Sequence, residues 1–389
     1  MIDIEKLSAQ YREELLGNVV PFWLNRSQDR ECGGYFTCLT REGDVFDTDK
    51  FVWLQCRQVW WFAYIYNKIE KRQEWLDCAV QGAEFLRRYG HDGSLNWYFS
   101  LTREGKPLIC PYNIFSYTFA AMAFGQLSLA TGNEEYADIA RKTYDLILQR
   151  FDNPKSVWNK EVSGGRSLKG FGLPMIMCNL TLEIEHLIDS EALSSTVEIC
   201  LNEIFNVFWR PELGIIVENV NRDGTLSDSF EGRLLNPGHA IEAMWFVMDL
   251  GSRFGHPEWI SNAVEIAIRM YDIGWDSKYG GIYYFIDRCG YPPQQLEWDQ
   301  KLWWVHLETL ICMLKGYALT GSKECLERFE QVHDYSWSHF KDPEYPEWYG
   351  YLNRQGEVLL PLKGGKWKGC FHVPRALYQC WKTLEKLER

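Results

Sequence analysis

The chain has 389 residues, enough for one large domain or two to three average ones. Hydrophobic residues make up 46%, which allows a sizeable core and excludes a disordered chain. A net charge of −12 argues against nucleic acid or an anionic membrane as partner, because both would repel it.

Apolar periodicity predicts helices, in chain order, over 5–25, 53–69, 74–90, 112–131, 134–152, 174–188, 191–208, 237–254, 257–273, 301–320, 323–340 and 370–387. The links at Glu70–Gln73, Thr131–Glu134, Gly251–His256 and Thr320–Ser322 are short and polar, so they join antiparallel neighbours. The alternate links are longer and carry alternating aromatic residues around a glycine turn, the pattern of a β-hairpin. That turn recurs as Arg41-Glu42-Gly43, Arg103-Glu104-Gly105, Arg222-Asp223-Gly224, Arg288-Cys289-Gly290 and Arg354-Gln355-Gly356. The spacings are 62, 119, 66 and 66 residues, so one unit near residue 163 has diverged. A period near 62 along the whole chain is an array or a closed ring, not separate domains. The fold expected is therefore all-α: an (α/α)6 barrel with β-hairpin insertions at one mouth, forming a single domain over 1–389. An open helical solenoid is the rival, but its repeats are usually shorter and lack such insertions.

The 12 cysteines are scattered through apolar helical stretches, with no CxxC and no Cys/His cluster, which suits free thiols in a reducing compartment. The first residues carry no apolar secretion signal and no run approaches a membrane span, so a cytoplasmic protein is expected. The 18 tryptophans fit either sugar-stacking surfaces or a Trp-rich helical core.

In a double ring the helices that follow hairpins form the inner set, and their first turns gather at one mouth. The second predicted helix opens with Trp53 and Arg57 in apolar sequence; a buried Arg needs an acceptor, either a sugar carbonyl or a core carboxylate. The fourth opens Pro111-Tyr112-Asn113, where both polar groups suit hydroxyls and Asn113 also suits a cap. On the sixth, Asn179 is a lone amide among apolar neighbours. The eighth opens Asn236-Pro237-Gly238-His239 with Glu242 on the same face. The helix dipole disfavours an imidazolium there, so His239 is expected to be a neutral base. The tenth, taken to begin at residue 301, would put Lys301, Trp304 and Glu308 on one face, with His306 beside them. The twelfth opens Lys368-Gly369-Cys370-Phe371-His372-Val373-Pro374-Arg375. In the diverged unit, Lys160, Arg166 and Lys169 surround Gly164-Gly165; such a loop can cradle phosphates, although it lacks the GxxxxGK[ST] spacing and an ordinary surface loop is the plainer reading. No metal-ligand set, GxSxG elbow or dinucleotide glycine pattern is present.

These stretches resemble the N-acylglucosamine 2-epimerases over essentially the whole chain. The resemblance implies an (α/α)6 barrel, usually dimeric, acting on an N-acetyl amino sugar. His239 and His372 would be the acid/base pair and Arg57 the carbonyl-binding residue. Glu242, Glu308 and His306 would hold the histidines and the sugar, and Asn179 stands where related disaccharide epimerases carry a further His. ATP would be an activator rather than a reactant, with Lys160, Gly164, Gly165, Arg166 and Lys169 the candidate contacts. No cofactor would be required for the chemistry. The expected reaction interconverts N-acetyl-D-glucosamine and N-acetyl-D-mannosamine by C2 proton transfer. Alternatives on the same scaffold are an aldose–ketose isomerase or a disaccharide 2-epimerase. A glycoside hydrolase using Asp299 and Glu308, or a non-catalytic protein-binding module, would leave the two histidines without work.

Overall fold

The computed structural model describes residues 3–162 and 165–388. Helix α1 (Ile4–Glu14) continues through a π-turn at Leu15–Val19 into α2 (Val20–Arg26). Then follow α3 (Val52–Lys68), α4 (Gln73–Tyr89), α5 (Ile114–Thr131), α6 (Glu134–Gln149), α7 (Gly172–Glu183) and α8 (Ser190–Asn202). After the short α9 (Phe230–Arg233) come α10 (Pro237–Phe254), α11 (Pro257–Gly274), α12 (Trp303–Thr320), α13 (Lys323–His339) and α14 (His372–Leu387).

Burial separates these helices into two rings. Along α5 almost every residue from Ile114 to Ser128 is buried, whereas α4 and α6 each bury one stripe and present charge on the other. The fully apolar helices are the inner ring: α3 packs on α5, α5 on α7, α7 on α10, α10 on α12 and α12 on α14. Tyr378 of α14 meets Trp61 and Tyr64 of α3, with ring centroids 6.4 and 5.3 Å apart, and this closes the circle. Each inner helix has an outer partner; α1 lies on α14, so the two ends of the chain share one hairpin. This is an (α/α)6 barrel, with one large continuous core and a small separate cluster of Cys38, Phe51, Leu54 and Phe99 under the hairpins. Among the described residues no helix is long and apolar enough to cross a membrane.

The hairpin-bearing links lie at one end of the barrel. Lys50–Phe51, Ser100–Leu101 and Pro107–Ile109 form one antiparallel three-stranded sheet, and Lys301–Leu302, Tyr351–Leu352 and Val358–Leu360 form its counterpart. In both, and in the Cys38–Leu39/Val45–Asp47 hairpin, the register shifts at the same point before the turn. The turn glycines Gly43, Gly105, Gly224, Gly290 and Gly356 all have φ between 79° and 91°, the conformation that keeps glycine there.

The arginine that precedes each of these turns also has work in three of the five. Arg103 bonds Asp29, Arg354 bonds Asp276 and Arg41 bonds Asp342, at 2.8–3.0 Å. Each aspartate is buried and also takes a buried lysine from the segment leading into an inner helix: Lys50 and Lys301 from strands, at 2.9 and 3.2 Å, and Lys363 from the loop before α14, at 2.7 Å. The Arg41–Asp342 clamp ties the first hairpin to the last unit and so helps to close the ring.

The hairpin expectation fails in the middle of the chain. Asn219–Asn221 pairs with Leu168–Gly170, and Leu234–Leu235 pairs with Ile286–Asp287, so these strands join successive units instead of folding back on themselves. The diverged segment, expected to lack a strand, therefore ends in one; its alternation is masked because Gly170 and Lys169 carry no apolar signal. Accordingly Arg222 bonds Ser167, and Arg288 bonds Asp228, in place of a buried clamp.

Candidate functional site

The first turns of α10, α12 and α14 meet at the hairpin end. Asn236 caps α10, its side chain accepting the His239 N–H at 3.1 Å. A Cβ on Gly238 would lie 2.8 Å from the Trp304 ring and from Val305, so only glycine lets α10 press this close to α12. His239 then stands 5.2 Å from the Trp304 ring, centroid to centroid, and its side chain stays 29% exposed. Its Nδ1 lies 2.9 Å from Glu218 Oε1. Burial disfavours the imidazolium, but the charge and hydrogen bond of Glu218, with Glu242 beyond, outweigh it and raise the pKa. The expectation of a neutral base set by the helix dipole is thus corrected: a carboxylate in contact is stronger than a partial charge at a helix end.

His372 opens α14 on the other side of Trp304, 5.9 Å from that ring. Its Nδ1 is 2.7 Å from Glu308 Oε1, and its Nε2 is 3.4 Å from an Arg57 nitrogen. Burial, then the charges of Arg57 and Arg375, push its pKa well down, so this imidazole is neutral. Two histidines flanking one tryptophan are therefore displaced in opposite directions.

Beneath them lies a buried ionic cluster. Glu308 accepts from Arg375 at 2.7 Å and from the Trp245 indole at 2.9 Å, and Arg375 also bonds Glu242. The ligand atoms of Glu242, Glu308 and His372 lie within 4.8 Å of one another, but Arg375 already supplies positive charge to both carboxylates. Arg57 differs: among the described residues it has no carboxylate partner. Its guanidinium is stacked by Trp53, Phe119 and Phe371 at 4.1–4.4 Å, and burial with the Arg375 charge lowers its pKa to about 9. It is a desolvated cation in want of an anionic oxygen.

A cavity of about 720 Å³ opens beside His239. Tyr112, Asn113, Glu218 and His239 line it, as do Lys155, Glu161 and Lys169 of the diverged segment. Asn113 also caps α5 through Phe115 N–H at 2.9 Å. Asn179 is 7% exposed, and among the described residues its amide has no hydrogen-bond partner. Trp53 packs 6.0 Å from the exposed Trp367 and carries the Arg57 guanidinium.

Two expected site residues lie elsewhere. Helix α12 begins at Trp303, so Lys301 belongs to a strand and leaves the face shared by Trp304 and Glu308; its amine is buried on Asp276. His306 is fully buried; its Nδ1 donates to Leu302 O at 2.7 Å and its Nε2 accepts the Ile282 N–H at 2.9 Å. Burial drives its pKa down to about 3, and neither nitrogen is left for a sugar. Of the basic loop, Lys169 pairs with Glu203 at 2.6 Å and Arg166 faces Glu231 at 3.9 Å. Lys160 is exposed, Gly165 sits in the loop beside it, and Gly164 lies outside the described residues.

The family model for N-acylglucosamine 2-epimerase (GlcNAc 2-epimerase) matches residues 34–376. The chain belongs to this family. As a member of the N-acylglucosamine 2-epimerase family it is an epimerase, and its relatives match it nearly end to end. It is 39% identical to the Bos taurus N-acylglucosamine 2-epimerase over 96% of this chain and 90% of that one. To the Homo sapiens N-acylglucosamine 2-epimerase it is also 39% identical, over 96% of this chain and 89% of that one. A solved cellobiose 2-epimerase from Bacillus thermoamylovorans shares the fold, with a TM-score of 0.83 at 20% identity over 98% of this chain and 99% of its own.

Sequence reading missed Glu218 and Arg375 as parts of this epimerase's site. Glu218 follows Ile215-Ile216-Val217, and an acid ending an apolar strand is the one local signal it offers. Arg375 sits inside the stretch that carried the resemblance, yet its two carboxylate partners are 67 and 133 residues away (375 − 308 and 375 − 242), beyond the reach of spacing rules.

Proposed function

We propose that the chain interconverts N-acetyl-D-glucosamine and N-acetyl-D-mannosamine, moving the C2 proton between the sugar and the pair His239 and His372. The observation that carries this reading is the placement of two imidazoles against the one Trp304 ring, each with its Nδ1 on a carboxylate. Inverting C2 of an opened aldose needs one group that takes a proton and another, on the other face, that returns one. A neutral His372 and a His239 whose charged form is favoured by Glu218 are that combination. In each ring Nδ1 faces a carboxylate, so Nδ1 keeps its proton and Nε2 is the atom left to exchange with carbon. The aldehyde at C1 acidifies C2–H, and charge builds on O1 as the proton leaves. Arg57, desolvated and without a carboxylate, is the donor for that oxygen; one such donor is typically worth about 2.7–4 kcal/mol. The amino-sugar substrate is supported by the names of the relatives that match nearly end to end.

The test is turnover of both sugars by His239→Asn and His372→Asn, with products identified by chromatography. Each variant is expected to keep a cooperative melting transition and to lose epimerisation. Near-normal turnover by either one removes that histidine from the mechanism, and a ketose product would indicate an isomerase instead. We further propose a homodimer in the cytoplasm, supported by apolar edge strands that leave Phe46, Leu108 and Leu360 about half exposed. ATP is proposed as an activator at the basic loop, supported by Lys160, which among the described residues has no ion-pair partner. ATP is expected to raise the rate or the melting temperature, less so in Lys160→Ala and Lys169→Ala. No response in either assay removes the site.

A further inference from the structure

Helix α10 places the His239 backbone but not its ring. The ring is fixed from outside, by a chain segment that begins in the preceding unit. Glu218 donates its N–H to Leu234 O at 3.3 Å and accepts the Phe171 N–H at 2.9 Å on its own carbonyl. The first contact joins it to the strand Leu234–Leu235, which runs directly into the Asn236 cap. The second joins it to the end of the diverged segment, whose strand Leu168–Gly170 pairs with Asn219–Asn221. Glu218, in the bend just before the strand Asn219–Asn221, and His239, in the turn of α10 that follows the strand Leu234–Leu235, are thus tied to one small framework, and they meet at 2.9 Å on the wall of the cavity.

From these contacts we propose that Glu218 is a positioning residue for the epimerisation, orienting His239 through Nδ1 and favouring its charged form. The proposal rests on the acid/base reading of His239 given above. A carboxylate on Nδ1 fixes which nitrogen carries the proton, aims Nε2 at the cavity and stabilises the imidazolium. Glu308 does the first of these for His372, whose Nε2 faces Arg57, and there burial and the charges of Arg57 and Arg375 disfavour the imidazolium. Among the ion pairs of the described residues Glu218 has His239 alone as its partner, with no arginine or lysine paired to it. The other groups acting on this imidazole are Glu242 on its own helix and His372 from α14. The Tyr284 phenol, close to Glu218, stays neutral because burial raises its pKa, and the Arg222 and Lys169 chains line the same cavity.

The sign follows from the contact. The reaction needs the histidine pair to carry one proton, and Glu218 extends that state to higher pH. The experiment is the pH profile of kcat/KM for Glu218→Gln and Glu218→Asp, with NMR titration of the His239 ring in the free enzymes, its signal assigned by its loss in His239→Asn. Gln keeps size and a hydrogen-bond acceptor but removes the charge. It is expected to move the alkaline limb and the His239 titration down by about one pH unit or more. Its kcat should fall about 10-fold or more while KM changes little. Asp keeps the charge but shortens the reach, so its alkaline limb stays near wild type while kcat falls. A Glu218→Gln enzyme with the wild-type limb and an unmoved His239 titration overturns the proposal. An active His239→Asn instead sinks the acid/base reading itself, whatever Glu218 does. The titration in the free protein needs no turnover, so the two failures are distinguishable.

Discussion

Glu308 carries more connections than any other side chain under the site. Its two buried oxygens accept hydrogen bonds from His372, Arg375 and Trp245. Glu308→Gln removes one negative charge beside a buried guanidinium and puts an amide N–H where an acceptor stood. Breaking a buried pair from one side costs about 3–5 kcal/mol, and the remaining Glu242 contact places this variant at the low end. Denaturant unfolding is expected to show a loss of about 3 kcal/mol, with epimerase turnover falling about 100-fold as His372 loses its fixed orientation. Lys301 provides the opposite case. Its amine, buried on Asp276 with a pKa pulled down by burial to about 8, belongs to the hairpin clamp. Lys301→Met is expected to lower the melting temperature by several degrees and leave KM within a few-fold of wild type; a large rise in KM would return Lys301 to the site. The sequence misleads at this residue because helical spacing extended two positions too far places a strand residue on a helix face. It is more informative at Arg57, whose apolar flanks mark it as a buried cation that needs an oxygen. His306 shows the limit: a buried imidazole in a helix reads the same whether it faces a sugar or, as here, two backbone groups.

Among the elements, the repeated Arg-x-Gly turn is legible in both of its parts. Its glycine is required by backbone conformation, and in three units its arginine ends on a buried aspartate. What spacing does not reveal is the partner, because each clamp joins residues from different units. Asp342 illustrates the consequence for stability. Burial alone would raise its pKa, but Arg41 and Lys363 hold it well below the usual carboxylate range, and Asp29 and Asp276 move the same way. A carboxylate depressed in the folded state contributes stability above its unfolded pKa of about 3.9 and loses it as pH falls further. Asp342→Asn is therefore expected to destabilise by about 3–5 kcal/mol at pH 7. The gap from wild type, measured by denaturant unfolding, should narrow below about pH 4. A gap that does not depend on pH would mean that the clamp acts through packing rather than charge. The middle hairpins were misread for a related reason: a strand's own pattern does not say whether its partner is the next strand or one from the preceding unit.

At the scale of the whole molecule, repetition carries the inference furthest. Twelve apolar periodicities with short and long links in alternation define the double ring, because an inner helix must be buried all round and an outer one on a single stripe. The ring then gathers α3, α10, α12 and α14 at one mouth, although their first turns are spread from residue 52 to residue 372 of the sequence. Convergence of that kind, with a carboxylate favouring the charged form of one histidine while burial and two arginines disfavour it in the other, is a property of the closed fold and not of any local stretch. The most direct measurement is proton NMR of N-acetyl-D-mannosamine incubated with the enzyme in D2O. The expected result is N-acetyl-D-glucosamine carrying deuterium at C2, formed by wild type and by neither His239→Asn nor His372→Asn. A product that retains the C2 proton completely, or the absence of any epimer, would contradict proton transfer through two histidines.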